Sequence, residues 1–140
     1  MKKTVMNVAL VIAMALPGAA FAAAWKTADT KAGEVYTDAS GMSLYTFRKD
    51  KPGKSKCFGA CAAAWPPFIA AAGASDSGDW TLVKRKNGAM QWAYKDAPLY
   101  LWAGDKKAGD VSGDGVGGVW DLARPGLKAK SSKKVNQSDY

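Results

Sequence analysis

Apolar residues in this chain fall into short runs that alternate with polar residues, and turn-forming residues separate the runs. Leu44–Arg48 and Leu99–Ala103 carry aromatic rings at every second position. Because successive side chains of a β-strand point to opposite faces, these rings would share one face of a strand. Similar short runs predict three further strands, at Glu34–Thr37, Trp80–Lys86 and Ala89–Tyr94.

Turn signals precede both aromatic strands. Asp38–Gly41 and Lys95–Pro98 are rich in turn-forming residues, so each aromatic strand is expected to form a β-hairpin with the strand before it. The alanine-rich segment Ala60–Ala64 predicts one helical turn, which Pro66 would end. Small and polar residues at 70–79 indicate a linker. No long amphipathic helix is predicted after residue 22, so the fold class is mainly β.

An internal repeat organises the chain. Displacing the sequence by 55 residues without gaps aligns Gly33 with Gly88, Leu44-Tyr45 with Leu99-Tyr100, Phe47 with Trp102, Asp50-Lys51 with Asp105-Lys106, and Trp65 with Trp120. The two copies run from about residue 31 to 69 and from about 86 to 124. One hairpin alone is only marginally stable, so the copies are expected to pack together. We therefore predict one small, mainly β domain of two tandem β-hairpin repeats, about 55 residues each, with pseudo-twofold symmetry.

The first 22 residues have the pattern of a secretory signal peptide. Lys2 and Lys3 precede a short apolar stretch, and Ala20 and Ala22 fit a small-x-small cleavage site. Cleavage is expected after Ala22, with Ala24 as the second choice. The apolar stretch is shorter than the roughly 20 residues that span a bilayer, so no stable membrane insertion is expected after cleavage. The segments that follow are a lead at 23–32, the two-repeat domain at 33–125 and a basic tail at 126–140, expected to be disordered.

A short signal with two lysines is typical of bacteria, so the mature protein is expected in the periplasm or outside the cell. Its formal net charge of +8 falls to +6 when Lys2 and Lys3 leave. Part of the remaining excess lies in the tail, which leaves the folded part weakly basic. The overall charge favours loose contact with anionic surfaces such as outer-membrane lipid or an acidic polysaccharide, while the weakly basic folded part disfavours nucleic-acid binding.

Two copies of a short motif, Tyr-x-aromatic-x-x-Asp, stand at 45–50 and 100–105. Their flanks include Asp38–Tyr45, Cys57–Cys61, Trp65–Pro67, Gln91–Tyr94 and Gly117–Trp120. Over about residues 33–125 the chain resembles the bacterial family of secreted repeats and predicted lipoproteins that is named for this motif. The resemblance implies no particular biochemical activity. Many members resemble lipoproteins, but this chain has no cysteine at its cleavage site, so membrane anchoring does not carry over.

The two cysteines, Cys57 and Cys61, are expected to form a structural disulfide in an oxidising compartment. The alternative is a redox-active or copper-binding pair, with Met42 or Met90 as soft additional ligands. The chain contains no histidine, which removes the commonest metal ligand and general base. The Cys-x-x-Cys spacing of thioredoxin-like proteins is absent as well. No cofactor is predicted.

The carboxylates also allow two interpretations. The motif aspartates Asp50 and Asp105 either cap turns by accepting backbone N–H groups or act as a catalytic pair, as in glycosidases. In the loop Gly104–Gly118, Asp105, Asp110 and Asp114 raise the alternative of a calcium site, although the spacing does not fit an EF-hand. The candidate motif residues are Tyr45, Phe47, Asp50, Tyr100, Trp102 and Asp105.

The repeat-matched aromatic residues are expected to form the core. Trp25 and Trp80 lie outside the matched set and are candidates for contact with a sugar or a partner. The favoured function is a non-enzymatic binding or structural protein of the envelope, whose partner is an unknown envelope component or a polysaccharide. The alternatives are a redox or copper protein that uses Cys57 and Cys61, and a hydrolase that uses Asp50 and Asp105.

Overall fold

The computed structural model describes residues 23–128. The predicted signal peptide and residues 129–140 of the predicted tail lie outside the described residues. The elements are strands β1 Trp25–Thr30, β2 Gly33–Asp38 and β3 Tyr45–Phe47, helix α1 Ala60–Ala64, strands β4 Trp80–Lys84, β5 Met90–Tyr94 and β6 Ala97–Tyr100, a 3₁₀ turn Val116–Gly118, and strand β7 Trp120–Leu122. The strands predominate, which confirms the mainly β prediction.

The strands form two sheets, and the larger one joins the two copies. β1 and β2 make a two-stranded sheet, whereas the second sheet has five strands in the order β4-β5-β6-β3-β7. Its centre is the antiparallel pairing of β3 with β6, where Tyr45 lies opposite Tyr100. These residues hold the same position in the two copies. A pseudo-twofold axis therefore passes between them.

The hairpins expected around the two turns form to different extents. β5 and β6 pair through a two-residue turn in which Lys95 and Asp96 both have positive φ, as a tight hairpin turn requires. In the first copy, the contact between β2 and the aromatic segment is an isolated bridge of Thr37 with Ser43. The Asp38 carboxylate accepts N–H bonds within this wider loop. The aromatic strands are also shorter than predicted, and β6 begins earlier, at Ala97.

Strand β1 lies in the segment that the sequence suggested was only a lead. It pairs with β2 along its full length, just as β4 pairs with β5. Trp25 of β1 and Trp80 of β4 are 55 residues apart, and their rings stack with centroids 3.9 Å apart and planes 8° apart. These tryptophans, which were not among the residues matched in the sequence, are therefore equivalent residues that pack on each other.

A one-residue shift is hidden inside the gapless repeat. Trp25 lies opposite Asp38 in the first copy, whereas Trp80 lies opposite Tyr94 in the second, one residue further on than the offset of 55 requires. Compared with the first copy, the second copy has one additional residue in the loop before β5 and one residue fewer in the turn after β5. The offset therefore returns to 55 at Tyr45 and Tyr100. Tyr36 is therefore equivalent to Trp92. Each packs edge-on against the Trp25–Trp80 stack, Tyr36 on Trp80 and Trp92 on Trp25.

Two hydrophobic clusters fill the interior. Tyr45 and Tyr100 belong to one cluster, and their neighbours Leu44 and Leu99 belong to the other. The assignment follows from the alternation of side chains along β3 and β6. The central strands thus separate two cores, of which the second contains Trp80 and packs against Trp25.

If β1 is an integral part of the repeat, Trp25→Ala will lower the free energy of unfolding by about 2–3 kcal/mol, because it removes a ring that stacks on a buried tryptophan. Urea denaturation checks this, with the exposed neighbour Lys26→Ala as control. Equal, small effects for both variants would show that β1 is only an appended segment.

Candidate functional site

Aromatic rings of both copies form one continuous stack around the pseudo-twofold axis. Trp65 and Trp120, the same position in the two copies, lie face to face at the centre, with ring centroids 3.8 Å apart. Phe47 stacks on the outer face of Trp120 at 4.3 Å, and Trp102 stacks on Trp65 at 4.1 Å. Each outer ring thus packs on the tryptophan of the other copy.

The tyrosines and aspartates of the motif also join across the copies. The Tyr45 hydroxyl donates to Asp105 Oδ2 at 2.6 Å, and the Tyr100 hydroxyl donates to Asp50 Oδ2 at 2.7 Å. Both tyrosines are fully buried, and the aspartates are only 5% and 7% exposed. The motif is therefore completed reciprocally, because each copy supplies the hydroxyl that the other copy's carboxylate accepts.

The second oxygen of each carboxylate holds the loop that follows it. Asp50 Oδ1 accepts the N–H of Lys56, and Asp105 Oδ1 accepts the N–H and the hydroxyl of Ser112. Carboxylates accept such bonds readily, and a buried carboxylate needs them to offset its lost hydration. Each aspartate thus caps its own loop, as one of the two sequence interpretations proposed, and also joins the copies.

A glycine permits the close approach of the second loop to the core. The Gly113 N–H donates to the Tyr45 hydroxyl at 3.2 Å. A β-carbon at this position would lie 2.8 Å from Tyr45 Cζ and 2.9 Å from Trp65 Cη2, well inside ordinary contact. Only glycine fits here without displacing the two rings.

The environment raises the pKa of both motif phenols. For Tyr45 the main cause is burial, followed by the hydrogen bond to Asp105; for Tyr100 it is again burial, with the negative charge of Asp50 adding to it. Burial and the neighbouring Tyr94 raise the pKa of Tyr36 to about 12. The two motif tyrosines are therefore fixed hydrogen-bond donors.

Cys57 and Cys61 form a disulfide, as predicted. Cys57 is fully buried, and its carbonyl accepts a 2.8 Å hydrogen bond from Arg85. In this state neither sulfur is a thiolate ligand. Met42, in the loop between β2 and β3, and Met90, the first residue of β5, are both partly buried. Within residues 23–128, no three Cys, Asp or Glu side chains converge on a point where a metal ion would fit.

The three loop aspartates that suggested calcium have separate tasks. Asp105 binds Tyr45, as described above. Asp110 accepts the N–H groups of Lys106 and Lys107, which lower the pKa of its carboxyl. Asp114 accepts the N–H of Leu122. Each carboxylate is thus engaged with backbone of its own surroundings.

The buried polar group around Arg85 was not predicted from the sequence. The side chain of Arg85 is 8% exposed, and it donates to Ser55 Oγ and Gln91 Oε1 as well as to Cys57 O. The Ser55 hydroxyl lies 2.6 Å from that of Tyr100, which connects this group to the motif. The available sequence signal was the basic run Lys84–Lys86 at the end of a strand. Because side chains alternate along a strand, Arg85 points to the interior when its two lysine neighbours face solvent.

Double-mutant cycles will detect the reciprocal pairing. Tyr45→Phe alone is expected to cost about 1–3 kcal/mol in unfolding free energy, since it removes a donor from a buried carboxylate. Combined with Asp105→Asn, the cycle should give a coupling of about 1–2 kcal/mol. The same substitution combined with Asp50→Asn, the aspartate of its own motif, should give less than about 0.5 kcal/mol. The reverse order of couplings would refute the cross-copy assignment.

Alkaline pH will reveal the buried phenols. In the unfolded chain tyrosine loses its proton near pH 10, whereas Tyr45 holds its proton in the fold, so the fold loses stability as the pH rises above about 10. Each such phenol contributes a slope of about 1.4 kcal/mol per pH unit. Urea denaturation of Tyr45→Phe over the same range should show a slope smaller by that amount. An unchanged slope would mean that Tyr45 ionises in the folded protein.

Comparison with known proteins agrees with this two-copy architecture. The family described as a secreted repeat of unknown function matches residues 26–69 and again residues 81–124, with the spacing of 55 seen in the sequence. The matched copies begin within β1 and just after the start of β4, so they include most of two strands that lay outside the predicted copies, 31–69 and 86–124; of these, β4 was predicted as a strand and β1 was not. No curated protein and no solved structure matches the chain. Within residues 23–128, no helix has the length and hydropathy needed to cross a membrane. Because the two matches cover more than half of its 140 residues, the chain belongs to this family of secreted repeats.

Proposed function

We propose that this secreted protein is a non-enzymatic binding protein of the bacterial envelope, located in the periplasm or outside the cell. The observation that most supports this proposal is that the motif residues serve the interior of the fold. Its tyrosines and aspartates are buried and bonded to one another. Residues of this kind hold a scaffold together and leave binding to its surface.

The geometry argues against the hydrolase alternative. A glycosidase presents two carboxyl groups to a sugar and to water on either side of the scissile bond. Asp50 and Asp105 instead direct one oxygen to a buried tyrosine and the other to a loop N–H group. Any reacting group would have to displace these bonds and open the core.

The disulfide has a structural environment too. Cys57 is buried, and Ser55 and Arg85 contact the backbone around it. Redox-active cysteines are usually accessible to their partners, whereas Cys57 is fully buried. The Cys57–Cys61 bond is therefore better suited to fixing the first-copy loop than to exchanging electrons.

Incubation of the secreted protein with neutral and acidic polysaccharides tests the proposal. A non-enzymatic protein should leave the polymer length and the number of reducing ends unchanged, while a bound polymer should raise the melting temperature. Asp50→Asn and Asp105→Asn are the matched controls. Polymer cleavage that disappears in either variant while the variant remains folded would overturn the proposal in favour of a hydrolase.

Loss of the disulfide should destabilise the protein without abolishing the fold. The loop it closes is short, so Cys57→Ser/Cys61→Ser is expected to lower the free energy of unfolding by about 2 kcal/mol. Urea denaturation of this variant, beside oxidised and reduced wild type, measures the effect. Reduced wild type should match the variant. An unchanged stability on reduction would instead favour a redox role for the pair.

A further inference from the structure

An open groove lies between the loop of residues 53–58 and the end of strand β4. Its volume is about 410 Å³. Nine residues line it, and five of them are cationic: Lys54, Lys56, Lys84, Arg85 and Lys86. None of the nine is Asp or Glu. We call this feature the basic groove.

Arg85 is the fixed cation of the basic groove. Its guanidinium donates to the Ser55 hydroxyl, the Gln91 amide oxygen and the Cys57 carbonyl, all of which are neutral. Gln91 is fully buried, and its amide nitrogen donates to Leu99 O at 2.7 Å, which turns its oxygen toward Arg85. The charge is thus held in place by neutral acceptors, so these contacts do not cancel it.

Phe58 positions two of the cations. Arg85 Cζ lies 4.8 Å and Lys86 Nζ 4.5 Å from the centre of its ring, both within the range of cation–π attraction. Phe58 follows directly after Cys57, so the disulfide fixes the loop that presents the ring. Phe58 and Arg85 therefore form the floor of the groove, and exposed lysines lie on both of its walls.

The positive charge of the described domain is concentrated in this groove. Residues 23–128 contain 15 Lys and Arg and 11 Asp and Glu, a formal charge of +4. Without the five groove cations, 10 cations face 11 acids, and the remainder is close to neutral at −1. Positive charge that served only solubility would be expected to spread over the surface and not to cluster at one place.

The repeat supplies an internal comparison. At the offset of 55, Lys54 corresponds to Gly109, Lys56 to Val111 and Phe58 to Gly113. On the other wall, Lys84 corresponds to Asp29, Arg85 to Thr30 and Lys86 to Lys31. A second depression forms on that side, and Lys31 and Lys107 are its only cationic lining residues. We call it the twin groove. The twin groove forms although only Lys31 keeps the charge of its counterpart, Lys86. The repeat itself therefore does not require cations at the other four positions.

We propose that the basic groove binds the carboxylate or phosphate groups of an acidic polysaccharide. Lysines on both walls with a fixed arginine between them suit a linear polymer whose charges recur along its length. A lipid surface fits less well, because the large exposed hydrophobic residue of the described domain, Ile69, does not line the groove. The inference rests on the proposed function, since it names the ligand class of a non-enzymatic binding protein.

Two double variants with the same change of net charge test the groove. Lys54→Ser/Lys84→Ser removes two exposed lysines from the basic groove, and Lys31→Ser/Lys107→Ser removes two from the twin groove. Binding of polygalacturonate is measured by calorimetry at low and moderate salt, with neutral dextran as the reference polymer. The basic-groove variant should bind at least about tenfold more weakly, and the twin-groove variant within about twofold of wild type. Equal melting temperatures would show that both variants are folded.

Three results would overturn the inference. Equal weakening by both double variants would mean that net charge alone attracts the polymer. Absence of polygalacturonate binding would remove the ligand class, and tighter binding to phosphatidylglycerol vesicles than to the polymer would assign the groove to a lipid surface. The polymer is recovered and sized after each titration. Shortened polymer would refute the proposed non-enzymatic function, whereas intact but unbound polymer would refute the groove assignment alone.

Discussion

Each buried carboxylate in the centre of this protein depends on a hydroxyl group from the other half of the chain. Tyr45 serves Asp105, and Tyr100 serves Asp50. Burying an unpaired carboxylate costs several kcal/mol, so neither half can close its core without the other. The face-to-face packing of Trp65 and Trp120 has the same consequence, because it places one large apolar ring of each copy against the other. Each repeat therefore supplies half of the core, and two copies make one domain.

This constraint accounts for the spacing of the motif. A tyrosine and an aromatic residue two positions later lie on the same face of a strand, so one hydroxyl and one ring reach the axis together. The aspartate follows at the strand end, where it can accept both the partner's hydroxyl and the N–H of its own loop, as Asp50 does. The motif residues at the axis are thus paired between the copies, while the loops and the strand ends farther from the axis are free to differ. The disulfide has no counterpart in the second copy, and the charge of the basic groove is largely absent from its twin; both features lie in such loops and strand ends.

Much of the architecture was predictable from the sequence, because equivalent residues recur at a fixed offset. The offset of 55, the mainly β class and the disulfide required no coordinates. Which copy completes each Tyr–Asp pair was not predictable, since a repeat shows that Asp50 and Asp105 are alike and not which tyrosine each one meets. The shift between Tyr36 and Trp92 was also invisible, because two compensating loop lengths restore the gapless alignment. Trp25 and Trp80 stood at the right spacing, but they lay before the segments chosen as copies.

The most direct test of the reciprocal pairing is proton NMR of the two motif hydroxyl groups. Buried hydroxyl protons that are donated to carboxylates should exchange slowly with water and give resolved signals at low field. Asp105→Asn is expected to shift the Tyr45 hydroxyl signal and to leave that of Tyr100 almost unchanged, and Asp50→Asn is expected to have the opposite effect. A Tyr45 signal that responds to Asp50 and not to Asp105 would contradict the pairing across the two copies.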